Sequence, residues 1–201
     1  MKIICLDLEG VLVPEIWIAF SEATGIQEFR RTTRDEPDYD KLMNYRIALL
    51  KKNNLLLSDI QKVISNMKVL DGAEDFTRSV RGQTQLILLS DTYQEFARPL
   101  MAKLDWPTLF CNSLEVAHNG EITGYRLRQQ EGKLETVKAL KTLNMKVFAA
   151  GDSYNDIKMI TEADEGCLFR APENIRNEYP EIPSAETYSE LLERINIFLH
   201  C

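Results

Sequence analysis

The chain has 201 residues, and its 44% of hydrophobic and 27% of charged residues are typical of a globular protein rather than a disordered or fibrous one. The formal net charge of −7 would repel a polyanion, which argues against nucleic acid as a partner. No apolar run approaches the roughly 18 residues of a membrane helix. Asp7 and Glu9 interrupt the apolar N-terminus in a way that signal peptides do not. We therefore expect a soluble cytoplasmic protein that binds no membrane.

The cysteines are too scattered to form a zinc site. They are Cys5, Cys111, Cys167 and Cys201. The first three lie in or beside apolar segments, where a free cysteine usually is a small buried hydrophobic residue. Any metal ligands must therefore be oxygen atoms.

Short apolar runs without helical periodicity predict parallel strands that are buried on both faces. They occur at residues 2–7, 84–90, 108–111 and 146–151, with a weaker run at 166–169. Between and after these strands, the spacing of apolar residues predicts helices at 73–80, 93–104, 133–143 and 186–199. Strands that alternate with helices indicate βαβ crossovers, so we predict a Rossmann-like, three-layer α/β core with a parallel sheet.

Residues 14–68 depart from this alternation. They contain helical patterns at 16–24, 39–52 and 57–66 and no convincing strand. We predict a small all-helical cap inserted after the first strand, with residues 1–13 and 69–201 forming the catalytic core.

One antiparallel feature is expected within the core. Residues 113–117 and 121–126 flank Asn119 and Gly120, a pair that favours a type I′ turn. The sequence therefore predicts a β-hairpin at this point.

Polar side chains stand where the predicted strands end, which is where open parallel sheets bind ligands. They are Asp7 and Glu9 after the first strand, Ser90 and Asp91 after the second, and Asp152, Asn155 and Asp156 after the fourth. Lys133 opens the helix that leads into the fourth strand. We expect these acids, the hydroxyl and the ammonium to meet at one edge of the sheet.

Such a set of groups is suited to phosphoryl transfer. Asp7 could attack phosphorus and carry it as an aspartyl phosphate, while Glu9 could protonate the leaving alkoxide and later deprotonate the acceptor. Carboxylates alone would repel a phosphate dianion, so a cation is needed. Asp7 and Asp152 offer the hard oxygen ligands that Mg²⁺ prefers. Lys133 would add a second positive charge, and Ser90 would donate a hydrogen bond to a phosphoryl oxygen.

These positions also have ordinary structural interpretations. An aspartate at a helix start, such as Asp152, can be a cap, and a lysine such as Lys133 can be a solvated surface residue. The functional interpretation depends on all the positions occurring in order, each at a predicted strand or helix end.

Four segments together resemble the four motifs of the haloacid dehalogenase superfamily, and the helical insertion resembles its small cap. The first motif is residues 7–13, and the second is residues 88–92, which include Ser90, Asp91 and Thr92. The third is Lys133, and the fourth is residues 151–156. The resemblance covers essentially the full length. Within the superfamily the chain is similar to phosphoserine phosphatases, and closest to those that also act as phosphoserine:homoserine phosphotransferases.

This resemblance implies a role for each of the polar residues expected at the edge of the sheet. Asp7 would be the nucleophile, and Mg²⁺ would be held by the carboxylates of Asp7 and Asp152 and by the backbone carbonyl of Glu9, with Asp156 in support. Ser90 and Lys133 would hold the phosphate of the substrate, and Asn155 would lie near it. Asp91 is a further candidate for substrate binding.

The resemblance also assigns two cap residues to the amino-acid end of the substrate. Glu15 would meet the α-ammonium of O-phospho-L-serine, and Arg46 would bind its α-carboxylate bidentately, which lysine cannot do. The structural alternatives are that Glu15 is merely a helix-start residue and that Arg46 is solvated.

Glu9 and Val11 depart from the family pattern, which usually has aspartate at the first position and a β-hydroxy residue at the second. Because glutamate is one methylene longer, its carboxyl must lie differently over the phosphorus. We expect this change to alter how the acceptor is activated, so that an alcohol such as L-homoserine competes with water.

The expected function is Mg²⁺-dependent transfer of phosphate from O-phospho-L-serine to water and to homoserine, which would place the chain in serine and threonine biosynthesis. One alternative is a phosphatase for another small phosphomonoester. Another is a non-catalytic domain that accepts phosphate, although the helical insertion and the early position of Asp7 argue against it. A homodimer is a possible assembly, but no segment marks a dimer face.

Overall fold

The central strand β1 (Lys2–Leu6) is buried on both faces in the computed structural model, which describes residues 1–33, 35–36 and 38–201. Ile4 and Leu6 pack into one hydrophobic cluster, whereas Ile3 and Cys5 pack into a second. Successive side chains of a strand point to opposite faces, so a continuous apolar run suits a sheet that is covered on both sides.

The sheet is mostly parallel, with the strand order β4-β3-β2-β1-β5-β6-β7. The further strands are β2 (Gln85–Tyr93), β3 (Thr108–Val116), β4 (Ile122–Arg126), β5 (Lys146–Gly151), β6 (Glu165–Phe169) and β7 (Ser184–Ala185). Cys5 of β1 pairs in register with Ile87 of β2 and Ala149 of β5, and β3 and β4 form the antiparallel hairpin. Since the chain order reverses beside β1, the carboxyl ends of β1 and β5 border a crevice suited to a ligand.

Helices cover both faces of the sheet, which confirms the predicted three-layer α/β fold. On one face, α4 (Ala73–Arg81) packs against α9 (Tyr188–His200), and on the other α6 (Gly132–Thr142) packs against α7 (Ile157–Glu162). The remaining helices of this part are α5 (Gln94–Lys103) and α8 (Glu173–Glu178).

Between β1 and α4 the chain forms helices and no named strand in its described residues. They are α1 (Ile16–Thr24), a 3-10 helix (Gln27–Arg30), α2 (Tyr39–Lys52) and α3 (Leu57–Asn66), and we call these four elements the cap. The bounds of α1, α2 and α3 coincide with the predicted ones. Trp17 stacks on Phe29 and meets Phe96 of α5 edge-on, so the cap shares its apolar interior with the core.

Hydrogen bonds fasten α3 to the core. Gln61 Nε2 donates to the carbonyl of Glu95 at 2.9 Å, and Lys103 Nζ donates to the carbonyl of Ser65 at 2.9 Å. The backbone N–H of Leu57 donates to the carbonyl of Gly120 in the hairpin loop at 3.0 Å. The hairpin therefore supports the cap.

The hairpin differs from the prediction in its turn. Asn119 does not adopt a positive φ, whereas Gly120 has φ 87°, and the Gly120 N–H donates to the carbonyl of Ala117 at 2.8 Å. The Ala117 N–H in turn donates to the carbonyl of Glu121. This is a three-residue loop in which a left-handed glycine follows a type I turn, so the predicted type I′ turn is wrong.

Some element bounds also differ from the prediction. β2 continues to Tyr93 and β3 runs unbroken into the hairpin, while the short elements α7, α8 and β7 were not predicted. Elements this short carry little periodicity to detect. Among the helices of the described residues, none combines the length and apolar character that crossing a bilayer requires.

Candidate active site

The candidate residues converge at the carboxyl ends of β1, β2 and β5. Asp7 directly follows β1 and Asp152 directly follows β5, while Lys133 lies in the first turn of α6. Ser90 lies within β2 rather than after it, because that strand continues to Tyr93. The parallel register of these strands brings together residues that are far apart in the chain.

A buried ion cluster forms the centre of the site. Lys133 Nζ lies 2.9 Å from Oδ1 of Asp7 and 2.8 Å from Oδ1 of Asp156. Asp7 and Lys133 are each only 5% exposed, and Asp156 is fully buried. Lys133 is therefore not a solvated surface residue.

Burial and the neighbouring Asp156 raise the pKa of Asp7 well above its usual value, although Lys133 opposes this rise. Burial alone would lower the pKa of Lys133, but the carboxylates of Asp156 and Asp7 raise it well above its usual value. Lys133 is therefore an ammonium at neutral pH.

Asp156 organises the loop that follows β5. Its Oδ2 accepts hydrogen bonds from the backbone N–H groups of Asp152 and Ser153, both at 3.1 Å, and its Oδ1 pairs with Lys133. With both oxygens engaged, Asp156 is placed to support the site.

The donor set fits a divalent cation. Oxygen atoms of Asp7, Asp152 and Asp156 lie within 4.8 Å of one another, and Lys133 Nζ contacts the carboxylates of Asp7 and Asp156. Among the described residues, the donors to the Asp7 side chain, Lys133 Nζ and Leu8 N–H, both reach Oδ1. Mg²⁺ prefers one or two carboxylates in such a site, and Asp7 and Asp152 would supply them.

Glu9 lies between the core and the cap. Its Oε2 accepts a hydrogen bond from the backbone N–H of Ile16 at 2.9 Å, so it satisfies a free N–H at the start of α1. Burial and the nearby charge of Glu15 raise the pKa of Glu9 to about 7, while the bonds from Ile16 and Thr92 oppose the rise. A carboxyl with a pKa near neutrality can both donate and accept a proton.

At the rim of the site, Asn155 and Asp91 bind each other, with Asn155 Nδ2 donating to Asp91 Oδ2 at 2.8 Å. Ser90 is buried, and its Oγ accepts a hydrogen bond from the backbone N–H of Thr92 at 3.2 Å. Among the residues that the structure describes, the Ser90 hydroxyl donates no hydrogen bond, so its proton can be donated to a phosphoryl oxygen.

Arg46 is buried in the cap rather than solvated. Only 7% of it is exposed, its guanidinium lies 4.6 Å from the centroid of the Trp17 ring, and Nη2 donates to the carbonyl of Arg31 at 2.8 Å. Its Nε is buried without a hydrogen-bond partner in the described part of the chain. A buried donor without a partner is costly, so Arg46 retains capacity to bind an anion. Glu15 is exposed and makes no capping hydrogen bond to α1.

Sequence analysis missed three tyrosines at the border of cap and core. The hydroxyls of Tyr39 in α2 and Tyr93 in β2 lie 2.7 Å apart, and the hydroxyl of Tyr125 in β4 bonds to Asp40. Tyr93 follows the second motif directly, which was the one local signal; the pairing with Tyr39 depends on the tertiary structure.

Comparisons with known proteins identify the family of the chain and relatives with the same fold. Residues 1–164 match a family model described as haloacid dehalogenase-like hydrolase. Over 191 residues the chain is 52% identical to a Pseudomonas aeruginosa protein named phosphoserine phosphatase ThrH, with 95% of this chain and 93% of that protein covered. A protein of Pseudomonas syringae named phosphoserine phosphatase is 51% identical over 191 residues, with 95% and 81% covered. A solved phosphoserine phosphatase, described as a phospho-aspartyl intermediate analogue, has the same fold, with a TM-score of 0.78 at 21% identity and with 96% of this chain and 98% of that one covered.

Proposed function

Because the chain belongs to the haloacid dehalogenase-like hydrolases, we propose that it is a phosphatase that transfers phosphate from O-phospho-L-serine through an aspartyl phosphate at Asp7. The observation that carries this proposal is the contact of 2.9 Å between Lys133 Nζ and Asp7 in a buried site. It places an ammonium beside the carboxylate at which a phosphoryl group would be bound.

In the first step, a carboxylate oxygen of Asp7 attacks phosphorus while the bond between phosphorus and the serine oxygen breaks. Glu9 donates a proton to the departing alkoxide, which leaves as serine. Lys133 and the Ser90 hydroxyl stabilise the charge on the phosphoryl oxygens. Mg²⁺, held by Asp7, Asp152 and the backbone carbonyl of Glu9, would supply further positive charge that polarises the phosphoryl group.

In the second step, the carboxylate of Glu9 takes a proton from the acceptor, whose oxygen attacks phosphorus and restores the Asp7 carboxylate. With water as acceptor the product is inorganic phosphate. With L-homoserine as a second acceptor the product is O-phosphohomoserine. The support for the second acceptor is that a site shaped for the carbon chain and α-amino acid group of phosphoserine suits a similar amino alcohol.

Arg46 and Glu15 would select the amino-acid end of the substrate. The buried guanidinium with an unpartnered Nε suits a carboxylate. Glu15 raises the pKa of Glu9 through its charge, which supports a position near the same site and a role in binding the α-ammonium group.

The test is phosphate release from O-phospho-L-serine with Mg²⁺ or EDTA, and with or without L-homoserine. We expect Mg²⁺-dependent release that falls as O-phosphohomoserine forms, and no turnover by a folded Asp7→Asn variant. Turnover of other phosphomonoesters but not of phosphoserine would refute the assignment of Arg46 and Glu15. Unchanged phosphate release with homoserine, and no phosphohomoserine, would refute the second acceptor alone.

A further inference from the structure

A pair of tyrosine hydroxyls joins the cap helix α2 to the end of β2. Tyr93 is 1% exposed, and its hydroxyl oxygen lies 2.7 Å from that of Tyr39. The Tyr39 hydroxyl also lies 3.2 Å from the backbone carbonyl of Asp91 and donates to it. Since a carbonyl can only accept, the arrangement that satisfies both contacts has Tyr93 donating to Tyr39 and Tyr39 donating to Asp91.

Both hydroxyls are held in the neutral form. Burial raises the pKa of Tyr39, and burial together with the neighbouring Tyr39 raises the pKa of Tyr93, each to well above its usual value. The pair does not change charge near neutrality, so its chemistry is that of a fixed hydrogen-bonded link.

The hydrogen-bonded link from Tyr93 through Tyr39 ends on the backbone carbonyl of Asp91, the residue after Ser90. The register between β2 and β3 shifts between Leu89 and Tyr93, which takes this carbonyl out of the regular ladder. From the core, Asn112 Nδ2 donates to the same carbonyl at 3.1 Å, and Asn112 Oδ1 accepts from the backbone N–H of Arg128 at 3.0 Å. One donor from the cap and one from the core thus meet on Asp91.

Tyr39 is also connected to the binding of the substrate's amino-acid end. It is the first residue of α2, and Arg46 lies seven residues later, on the same face of the helix. The charges of Arg46 and Glu9 both act on Tyr39, so the three groups are near one another. Anchoring the start of a rigid helix sets the position of a side chain two turns along it.

We propose that Tyr39 and Tyr93 are positioning residues that set the place of Arg46 relative to the phosphate-binding end of β2. They thereby determine specificity for substrates that carry both a phosphate and an α-carboxylate. The inference rests on the proposed function, because it concerns the spacing between Arg46 and the phosphate-binding residues of the same site, which must match the two ends of phosphoserine.

The test compares O-phospho-L-serine with phenyl phosphate, which has no amino-acid end. Tyr93→Phe removes one hydroxyl and retains the ring that packs edge-on against Phe96. We expect KM for phosphoserine to rise about 3- to 10-fold, as for loss of one hydrogen bond, with kcat/KM for phenyl phosphate unchanged. Tyr39→Phe, which also loses the bond to Asp91, should have the larger effect. Tyr45→Phe, on the same helix, is the matched control and should leave both substrates unaffected.

A double-mutant cycle separates positioning from mere stability. In an Arg46→Lys background, Tyr93→Phe should have no further effect on KM for phosphoserine, because the tyrosines act through Arg46. Additive losses, or equal losses on the two substrates, would overturn the inference. If both tyrosine variants are active and their KM for phosphoserine is unchanged, the inference about Tyr39 and Tyr93 is also overturned, but the proposed function is not. Absence of wild-type turnover of phosphoserine would refute both.

Discussion

The backbone of Gly10 approaches the Asp152 carboxylate so closely that a β-carbon added to Gly10 would lie 2.4 Å from Oδ2. Gly10 also has φ +78°, a conformation that other residues rarely adopt. The loop after β1 and the acid after β5 are thus in direct contact, and only glycine leaves room for that carboxylate.

Gly10→Ala should therefore remove activity by displacing Asp152. We expect a loss on the order of 100-fold in kcat/KM, since a misplacement of about 1 Å in an active site has effects of that size. The measurement is phosphate release at saturating Mg²⁺.

Gly25→Ala is the matched control, because Gly25 has φ +72° but no atom of the described residues lies within 4 Å of a β-carbon added to it. Both variants should lose about 1–2 kcal/mol of unfolding free energy through the left-handed backbone. Only Gly10→Ala should lose activity; equal activity in the two variants would contradict the role of the close approach.

Lys133→Met should destabilise the fold as well as remove activity. It leaves the buried carboxylates of Asp7 and Asp156 without the ammonium that lies within 3 Å of both. Removing one partner of a buried ion pair costs about 3–5 kcal/mol. Urea unfolding in EDTA measures the change in the free energy of unfolding. The control is Lys138→Met, because Lys138 forms an exposed ion pair with Glu135 on the same helix. This variant should change the free energy of unfolding by less than about 1 kcal/mol. Similar stabilities for the two variants would show that the cluster is not a stabilising unit.

Glu9→Gln should alter how stability depends on pH. A carboxyl whose pKa rises from 4.5 to about 7 on folding binds its proton more tightly in the folded state. The wild-type free energy of unfolding should therefore fall as the pH rises from about 4.5 to 7, by at most about 3 kcal/mol from this group.

The side chain of the Glu9→Gln variant does not titrate, so the variant should lack this fall in stability with rising pH. In EDTA, the unfolding free energy of the variant minus that of the wild type should therefore be larger at pH 8 than at pH 5. Glu28→Gln, at an exposed carboxyl of the cap, should keep the wild-type pH dependence. Parallel curves for wild type and Glu9→Gln would show that Glu9 has no raised pKa in the folded protein.

Arg46→Lys should lower kcat/KM for O-phospho-L-serine by about 10- to 100-fold, the effect of losing charge-assisted hydrogen bonds worth about 1.5–3 kcal/mol. A lysine cannot reproduce the bidentate contact with a carboxylate. Turnover of phenyl phosphate should change little. Arg30→Lys, at an exposed arginine paired with Glu22, is the control. An equal loss on both substrates would mean that Arg46 supports the cap without contacting substrate.

Much of the architecture could be predicted because its signals are local. The continuous apolar run of β1 and the 3.6-residue periodicity of α1, α2 and α3 depend only on neighbouring residues. The predicted strand ends also identify Asp7 and Asp152 as candidates, and the predicted start of α6 identifies Lys133. The predicted turn type at Asn119 is wrong because two loop geometries share the same residue preferences, and the pairing of strands in the hairpin selects between them.

The α/β class, the order of the elements and the residue types at the sheet edge follow from local sequence patterns, because periodicity and strand ends depend on residues that are neighbours in the chain. Three relationships depend instead on tertiary packing: Arg46 is buried over Trp17, Gly10 lies against Asp152, and the hydroxyls of Tyr39 and Tyr93 form a hydrogen bond. Burial and contact depend on how segments far apart in the chain pack, and packing also sets the local charge environment that moves each pKa.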